Sequence, residues 1–282
     1  MSDVAEFAPG RVTPLTPLVR RVTAPNPGAM TGPGTNTYLV GAGADVVVID
    51  PGPDEASHLD AVAGATGGRT AAILTTHTHP DHAPGAPGLR DRTGGPLAGY
   101  EPRDDFVPDR MLRDGDRVEG DGFTIIAVHT PGHAGNHLCY YLEEERLLFS
   151  GDHVMSGSTV VISPPDGDMT AYLASLERCL AMGLRAIAPG HGRLIDDPDA
   201  VLTEYLHHRQ DRERQVLDVI TPGPVRIDDI VTALYPGLID ELIPRAGQTV
   251  WAHLIKLAQE GRAEVIEAST TGRDAEWQAT AR

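Results

Sequence analysis

The sequence predicts an α/β protein followed by a small, mainly helical C-terminal unit. Three observations predict it. Short β-type runs alternate with helix-type segments over the first two thirds of the chain. Histidines and aspartates recur where those runs end. Beyond Pro198 the pattern turns helical, with one short β-like run near the end.

The elements follow in order. After a proline-rich start, Thr37-Tyr38-Leu39-Val40 and Val46 to Ile49 flank a glycine-bearing turn, Gly41 to Asp45, and read as a hairpin. Asp50 and Pro51-Gly52 end the second run. Asp54 then caps a short helix through Ala65, with Leu59 and Val62 inward. Ala71 to Thr75 is a buried strand leading into His77. Ala83 to Gly122 is rich in Gly, Pro, Asp and Arg and reads as a long loop. Phe123 to Val128 is a strand, and Leu138 to Leu142 with Arg146 to Phe149 form a hairpin around Glu143-Glu144-Glu145. Asp168 caps a helix carrying Tyr172, Leu173, Leu176 and Leu180 at helical spacing, closed by Gly183. A strand at Ala186 to Ala188 precedes Pro189-Gly190-His191.

Asp197-Pro198 starts a polar helix that reaches about Ile220. Helical stretches near Ile227 to Leu234 and Thr249 to Glu260, then a β-like Ala263 to Ile266, suggest a small winged-helix-like unit. The last residues look frayed. The expected division is 1–196 and 197–282.

Composition narrows the function classes. A net charge of −17 disfavours non-specific binding to phosphate backbones. No apolar run approaches the ~20 residues that cross a bilayer. Met1 to Gly10 is acidic and lacks a secretion pattern, so a cytoplasmic protein without membrane partners is expected. Cys139 falls in a strand and Cys179 in a helix, and both read as buried free thiols.

One stretch demands chemistry. His77-Thr78-His79-Pro80-Asp81-His82 places three imidazoles and a carboxylate within six residues, directly after a buried strand. Such histidines repel one another when protonated, whereas a divalent cation suits neutral imidazole nitrogens and carboxylate oxygens together. His133, Asp152 and His191 recur at strand ends, each preceded by a glycine that allows a sharp turn and close approach. Five histidines and two aspartates suit two borderline metals about 3.5–4 Å apart. His137, His208, Arg209 and Asp50 are candidates for orienting these ligands or touching substrate. His129 and His153 are weaker candidates, and His58, His207 and His253 read as ordinary helix residues.

The six-residue motif and the order of the three later ligands resemble the metallo-β-lactamase superfamily from about residue 20 to 195. That resemblance implies an αββα sandwich with metals at one edge of two sheets. It implies that His77, His79 and His133 hold one zinc, that Asp81, His82 and His191 hold the other, and that Asp152 bridges them. Manganese and iron suit the same ligand types. Asn26-Pro27-Gly28-Ala29-Met30, Gly34-Thr35-Asn36-Thr37-Tyr38, Thr159-Val160-Val161 and His208-Arg209 resemble the branch with a C-terminal winged-helix-like tail. That branch includes endoribonucleases acting on single-stranded RNA and many hydrolases of unsettled substrate.

The chemistry implied is hydrolysis by a hydroxide bridging the two metals, with Asp81 and Asp152 orienting it. The ligand set itself separates no ester from a thioester, lactam or phosphodiester. The acidity favours a small-molecule ester or thioester. Single-stranded RNA is the alternative, weakened by a tail from Ala200 onward with nine Lys/Arg against thirteen Asp/Glu. Arg209, Arg212 and Arg214 read there as a solvated face paired with Asp211 and Glu213. A structural metal site with a partner-binding tail fits less well, because this ligand set leaves room for water. An iron redox enzyme on the same fold also fits less well, because the electron-transfer relatives carry an extra flavin-binding domain. A lactam as natural substrate fits poorly without an export signal.

Overall fold

The computed structural model describes residues 6–43, 45–266 and 274–280. Met1 to Ala5 of the acidic start, Ala44 of the hairpin turn, and Glu267, Arg273 and Arg282 of the tail's charge count lie outside the described residues. The chain divides into two compact units: one of Met1–Thr130, Asn136–Ser158 and Met182–Asp199, the other of Pro131–Gly135, Thr159–Ala181 and Ala200–Arg282.

The first unit contains two mixed sheets. Seven strands run in sequence order: β1 (Val12–Pro14), β2 (Val19–Thr23), β3 (Asn36–Val40), β4 (Val47–Ile49), β5 (Ala72–Leu74), β6 (Leu97–Gly99) and β7 (Arg110–Met111). The second sheet takes the order β12 (Ala186–Pro189), β11 (Leu147–Gly151), β10 (Leu138–Leu142), β9 (Phe123–His129) and β8 (Arg117–Gly120). Alternation explains the layers. Tyr38, Val40, Val47, Ile49 and Leu74 point inward and share one core with Ile125, Ala127, Tyr140, Phe149 and Ala188 of the other sheet. Their sequence neighbours Leu39, Val48 and Ile73 point outward, where helices α1 (Ala56–Ala65) and α2 (Gly85–Thr93) cover them with Leu59, Val62, Ala86 and Leu89. Both faces of this sheet are apolar, so its central strands read as continuous hydrophobic runs.

Several expectations need correction. The span 83–122 is not a loop: it holds α2, β6, β7 and β8. Pro87 and Gly88 hide the helix, yet Pro87 sits in its first turn, where a missing N–H breaks no helical bond, and Gly94 ends it at φ 76°. Asp54 is not the cap of α1; Glu55 takes that position without a side-chain bond. The proline-rich start includes β1 and β2. The end of the chain is not frayed throughout, because Glu276–Ala279 is a strand.

The second unit contains α3 (Met169–Leu180), most of α4 (Pro198–Ile220), β13 (Val225–Arg226), α5 (Ile227–Leu234), α6 (Ile243–Gln259), β14 (Ala263–Val265) and β15 (Glu276–Ala279). Asp168 caps α3 by accepting the Ala171 N–H at 2.9 Å. Helix α6 begins six residues before Thr249, because Pro244 fits its first turn. The small sheet runs β13-β15-β14, and Ile227, Ile230, Leu254, Leu257 and Trp277 fill its core. Cys139 and Cys179 are buried and not joined in a disulfide. No helix among the described residues is long and apolar enough to cross a membrane.

Candidate metal centre

Two pairs of adjacent parallel strands deliver the polar residues of the first unit. β4 pairs with β5, and their ends carry Asp50 and Thr76-His77. β11 pairs with β12, and their ends carry Asp152 and His191. Parallel neighbours end on the same side, so side chains distant in sequence converge. The two sheets are tied there. Leu138 N donates to the Thr76 carbonyl at 2.7 Å, and Asn36 N donates to the Gly190 carbonyl at 2.8 Å.

Asp81, His82, Asp152 and His191 offer four donor atoms that lie within 4.8 Å of one another. His82 Nε2 is 3.3 Å from Asp152 Oδ1 and 3.6 Å from Asp81 Oδ2. His191 Nε2 is 3.2 Å from Asp81 Oδ2 and 3.3 Å from Asp152 Oδ1. Both of these imidazole nitrogens are buried and neither has a hydrogen-bond partner of good geometry. Burial opposes charge on either ring, but the carboxylates outweigh it. They hold the His82 proton well above the imidazole range and push His191 to about 9. Burial likewise resists ionisation of both aspartates, and the imidazoles overcome it, so Asp81 falls to about 2 and Asp152 well below the usual range. A cluster that draws in protons this strongly has the donor chemistry of a divalent cation site, where the cation replaces the protons. The residues fit the metal that the motif implies.

Asp50 lies beneath this cluster, 2% exposed and with φ at 51°. Its Oδ2 faces His82 Nδ1 at 2.9 Å, which fixes a proton on Nδ1 and makes Nε2, the nitrogen facing the aspartates, the one that would give up its proton to a cation. His77 and His79 face each other, Nε2 to Nδ1, at 2.9 Å, and His77 Nδ1 meets Thr76 Oγ1 at 3.0 Å. His137 packs its ring 5.0 Å from that of His77 and bonds Thr130 Oγ1 through Nδ1. His153 is buried 6.0 Å from the ring of His137. His129 instead stacks on Tyr100 at 4.4 Å.

His133, His208 and Arg209 belong to the second unit. His133 Nδ1 donates to the Val161 carbonyl at 2.7 Å. His208 is half-buried on α4, and burial lowers its proton affinity, aided by Arg209 and Arg212. The expected arginine face does not form. Arg209 is 2% exposed, Arg212 stacks on Tyr235 at 4.1 Å, and Arg214 alone pairs with Asp211, at 2.6 Å. Glu213 turns to Lys256 at 2.8 Å and Arg262 at 2.9 Å. His207 is exposed, whereas His58 and His253 are buried in helix packing.

Sequence reasoning missed the residues that hold the ligand loops. Asn36 Nδ2 donates to the carbonyls of Pro189 and Gly192, and Tyr38 Oη donates to Pro189, pinning the turn that carries His191. The Gly-Thr-Asn-Thr-Tyr stretch was the signal, because an asparagine inside a buried strand needs a polar duty. Gly190 is required for close approach: a Cβ there would lie 2.7 Å from both Asp152 Oδ1 and His82 Cε1.

Comparisons with known proteins agree with this geometry. Residues 30–191 match the model of the metallo-beta-lactamase superfamily, and 227–277 match the beta-lactamase associated winged helix domain. The lactamase-like protein adaB of Aspergillus niger is 33% identical, covering 88% of this chain and 83% of that one. An atrochrysone carboxyl ACP thioesterase of Aspergillus chevalieri is 34% identical, covering 86% of this chain and 82% of that one. Among solved structures, a beta-lactamase domain protein from Burkholderia ambifaria superposes with a TM-score of 0.82 at 20% identity, covering 97% and 94% of the two chains, and shares the fold. The paired sheets, the convergent histidines and aspartates, and a match over more than half its length make this chain a hydrolase of the metallo-beta-lactamase superfamily with the associated winged helix domain.

Proposed function

We propose that the protein is a dinuclear zinc hydrolase that cleaves an ester or thioester of a small molecule with an apolar acyl group. His77, His79 and His133 hold one ion, Asp81, His82 and His191 hold the other, and Asp152 serves both. When bound, such an ion pair supplies an activated water and positive charge opposite the oxygen on which charge develops. Imidazole and carboxylate ligands together suit zinc among borderline metals. Asp81 and Asp152, held ionised, accept hydrogen bonds at their carboxylate oxygens and so orient the attacking water.

One observation carries the choice of substrate. A cavity of about 610 Å³ opens beside His79, walled by Pro80, Ala83, Pro84, Pro87 and Phe106. Its charged lining is Asp54, Asp104 and Asp105 against Arg103 alone. Such a wall takes a neutral, apolar group and repels a phosphodiester chain. The relative named as a thioesterase supports the same reading.

The test is a panel of acyl thioesters and esters of rising acyl size, offered to zinc-loaded protein beside labelled single-stranded RNA, with His79→Ala as control. Thioester or ester turnover that rises with acyl size and vanishes in the variant is expected. RNA cleavage without acyl turnover would overturn the proposal, and metal analysis of the protein as purified that finds iron but no zinc would overturn the metal assignment.

A further inference from the structure

The second unit contains a charge that its packing does not explain. Arg209, on α4, is 2% exposed, and among the described residues it has no carboxylate partner. A buried guanidinium is costly without compensation, and an apolar residue of similar size would fill the same space more cheaply. What the guanidinium touches is informative. Nη2 donates to the Val160 carbonyl at 2.5 Å, and the group lies 5.3 Å from the centre of the Tyr172 ring.

Both contacts fall on residues next to the surroundings of His133. The residue after Val160 is Val161, whose carbonyl accepts the His133 Nδ1 proton at 2.7 Å. Tyr172 presses against the glycine before His133: a Cβ on Gly132 would fall 2.4 Å from Tyr172 Cα. Gly132 also accepts the Asp168 N–H at 2.8 Å, at the start of the helix that carries Tyr172. Thr249, on α6, holds the same stretch from a second helix, its Oγ1 accepting the Ile162 N–H at 3.3 Å. Helices of the C-terminal half therefore grip residues 160–162, and that stretch grips His133.

We infer that Arg209 is a positioning residue for a metal ligand: by holding the Val160 carbonyl it sets the ring orientation and tautomer of His133. With its proton fixed on Nδ1, the ring presents Nε2 as its coordinating nitrogen. This rests on the assignment of His133 as a ligand in the proposed function. It gives the second unit a duty in catalysis that needs no contact with substrate.

The first readout is the histidine ring N–H spectrum of metal-free protein, with the signal assigned by its loss in His133→Ala. Wild type should show a slowly exchanging His133 Nδ1–H, and Arg209→Met should lose it. The second readout is zinc binding. Wild type should take two ions. Arg209→Met should bind one of them roughly 10–100-fold more weakly, the usual effect of removing a ligand's supporting partner, while the other stays near wild type. Combined with His133→Ala, Arg209→Met should add nothing further to the loss, whereas a merely structural role would add to it. Thr249→Val, which touches the same stretch, should give a smaller loss at the same ion and reports if Arg209→Met fails to fold. Two ions at wild-type affinity with an unaltered ring signal, in either foldable variant, would overturn the inference. A wild type that binds no pair of ions would instead overturn the metal assignment itself.

Discussion

Asp50 grips Thr76 twice, with Oδ1 accepting the backbone N–H at 2.7 Å and Oδ2 accepting the hydroxyl at 2.8 Å. Since the hydroxyl proton goes to Asp50, Thr76 Oγ1 can only accept from His77 Nδ1, so His77 presents Nε2. The same carboxylate fixes His82 directly. One buried acid thus sets the tautomers of two rings. Asp50→Asn keeps a residue that tolerates the left-handed backbone and removes the charge. Metal analysis should show affinity down roughly 10–100-fold, with kcat/KM falling in parallel. Thr76→Val should disturb His77 alone and give a smaller loss. Full occupancy in Asp50→Asn would deny the acid this role.

Gly190→Ala places a methyl group against Asp152 and His82, in contact at 2.7 Å with each. Relieving that overlap costs about 1–3 kcal/mol. The shift displaces two proposed ligands, so the variant should bind metal weakly and melt at lower temperature. A crystal structure with both side chains undisplaced would contradict this.

Acid should unfold the protein partly through histidines that are not proposed metal ligands. Burial lowers His58 and His253 from 6.5 to about 4, so the unfolded chain takes up protons first. Stability present above pH 6.5 is therefore lost as the pH falls towards 4, by on the order of 3 kcal/mol per ring. Glu213 extends the loss from 4.5 down to about 2; burial resists its ionisation, and the nearby His253, at 3.9 Å, and Lys256, at 2.8 Å, prevail. In His253→Leu, the Tm should decline less steeply between pH 6.5 and 4 than in wild type. Parallel curves would remove His253 from the account.

Phe106 closes one wall of the cavity beside His79 and is 4% exposed. Phe106→Leu keeps the wall apolar but shortens it. Turnover of bulky acyl thioesters should fall roughly tenfold in kcat/KM, the size of effect expected from a small change in pocket volume, and acetyl thioesters should be little affected. Equal losses for short and long acyl groups would place the substrate elsewhere.

Much of the fold was legible because its signals are local. The β3–β4 hairpin, the Asp168 cap and the helix from Pro198 each rest on a few adjacent residues. The clustering of Asp81 and His82 with Asp152 and His191 was legible because chemistry, not packing, justifies such residues at strand ends. The stretch 83–122 was not legible: β6 has three residues, Leu97, Ala98 and Gly99, buried on both faces with no alternation to read. Nor were the supports. That Asn36 holds the His191 turn, or that Arg209 meets Val160, depends on residues more than a hundred and about fifty positions apart that only the tertiary structure brings together.

The ends of the β4–β5 and β11–β12 pairs are built into a core sealed between two sheets, whereas Arg103, Asp104 and Asp105 lie on the surface beside the cavity. On the proposed assignment, the cavity shares His79 and Pro80 with the metal motif, but the rest of its wall falls largely in a stretch apart from the strand ends. A directed-evolution library confined to residues 84–106 would sample new acyl preferences while the reactive centre is inherited intact. Randomising the strand ends would mostly yield inactive clones.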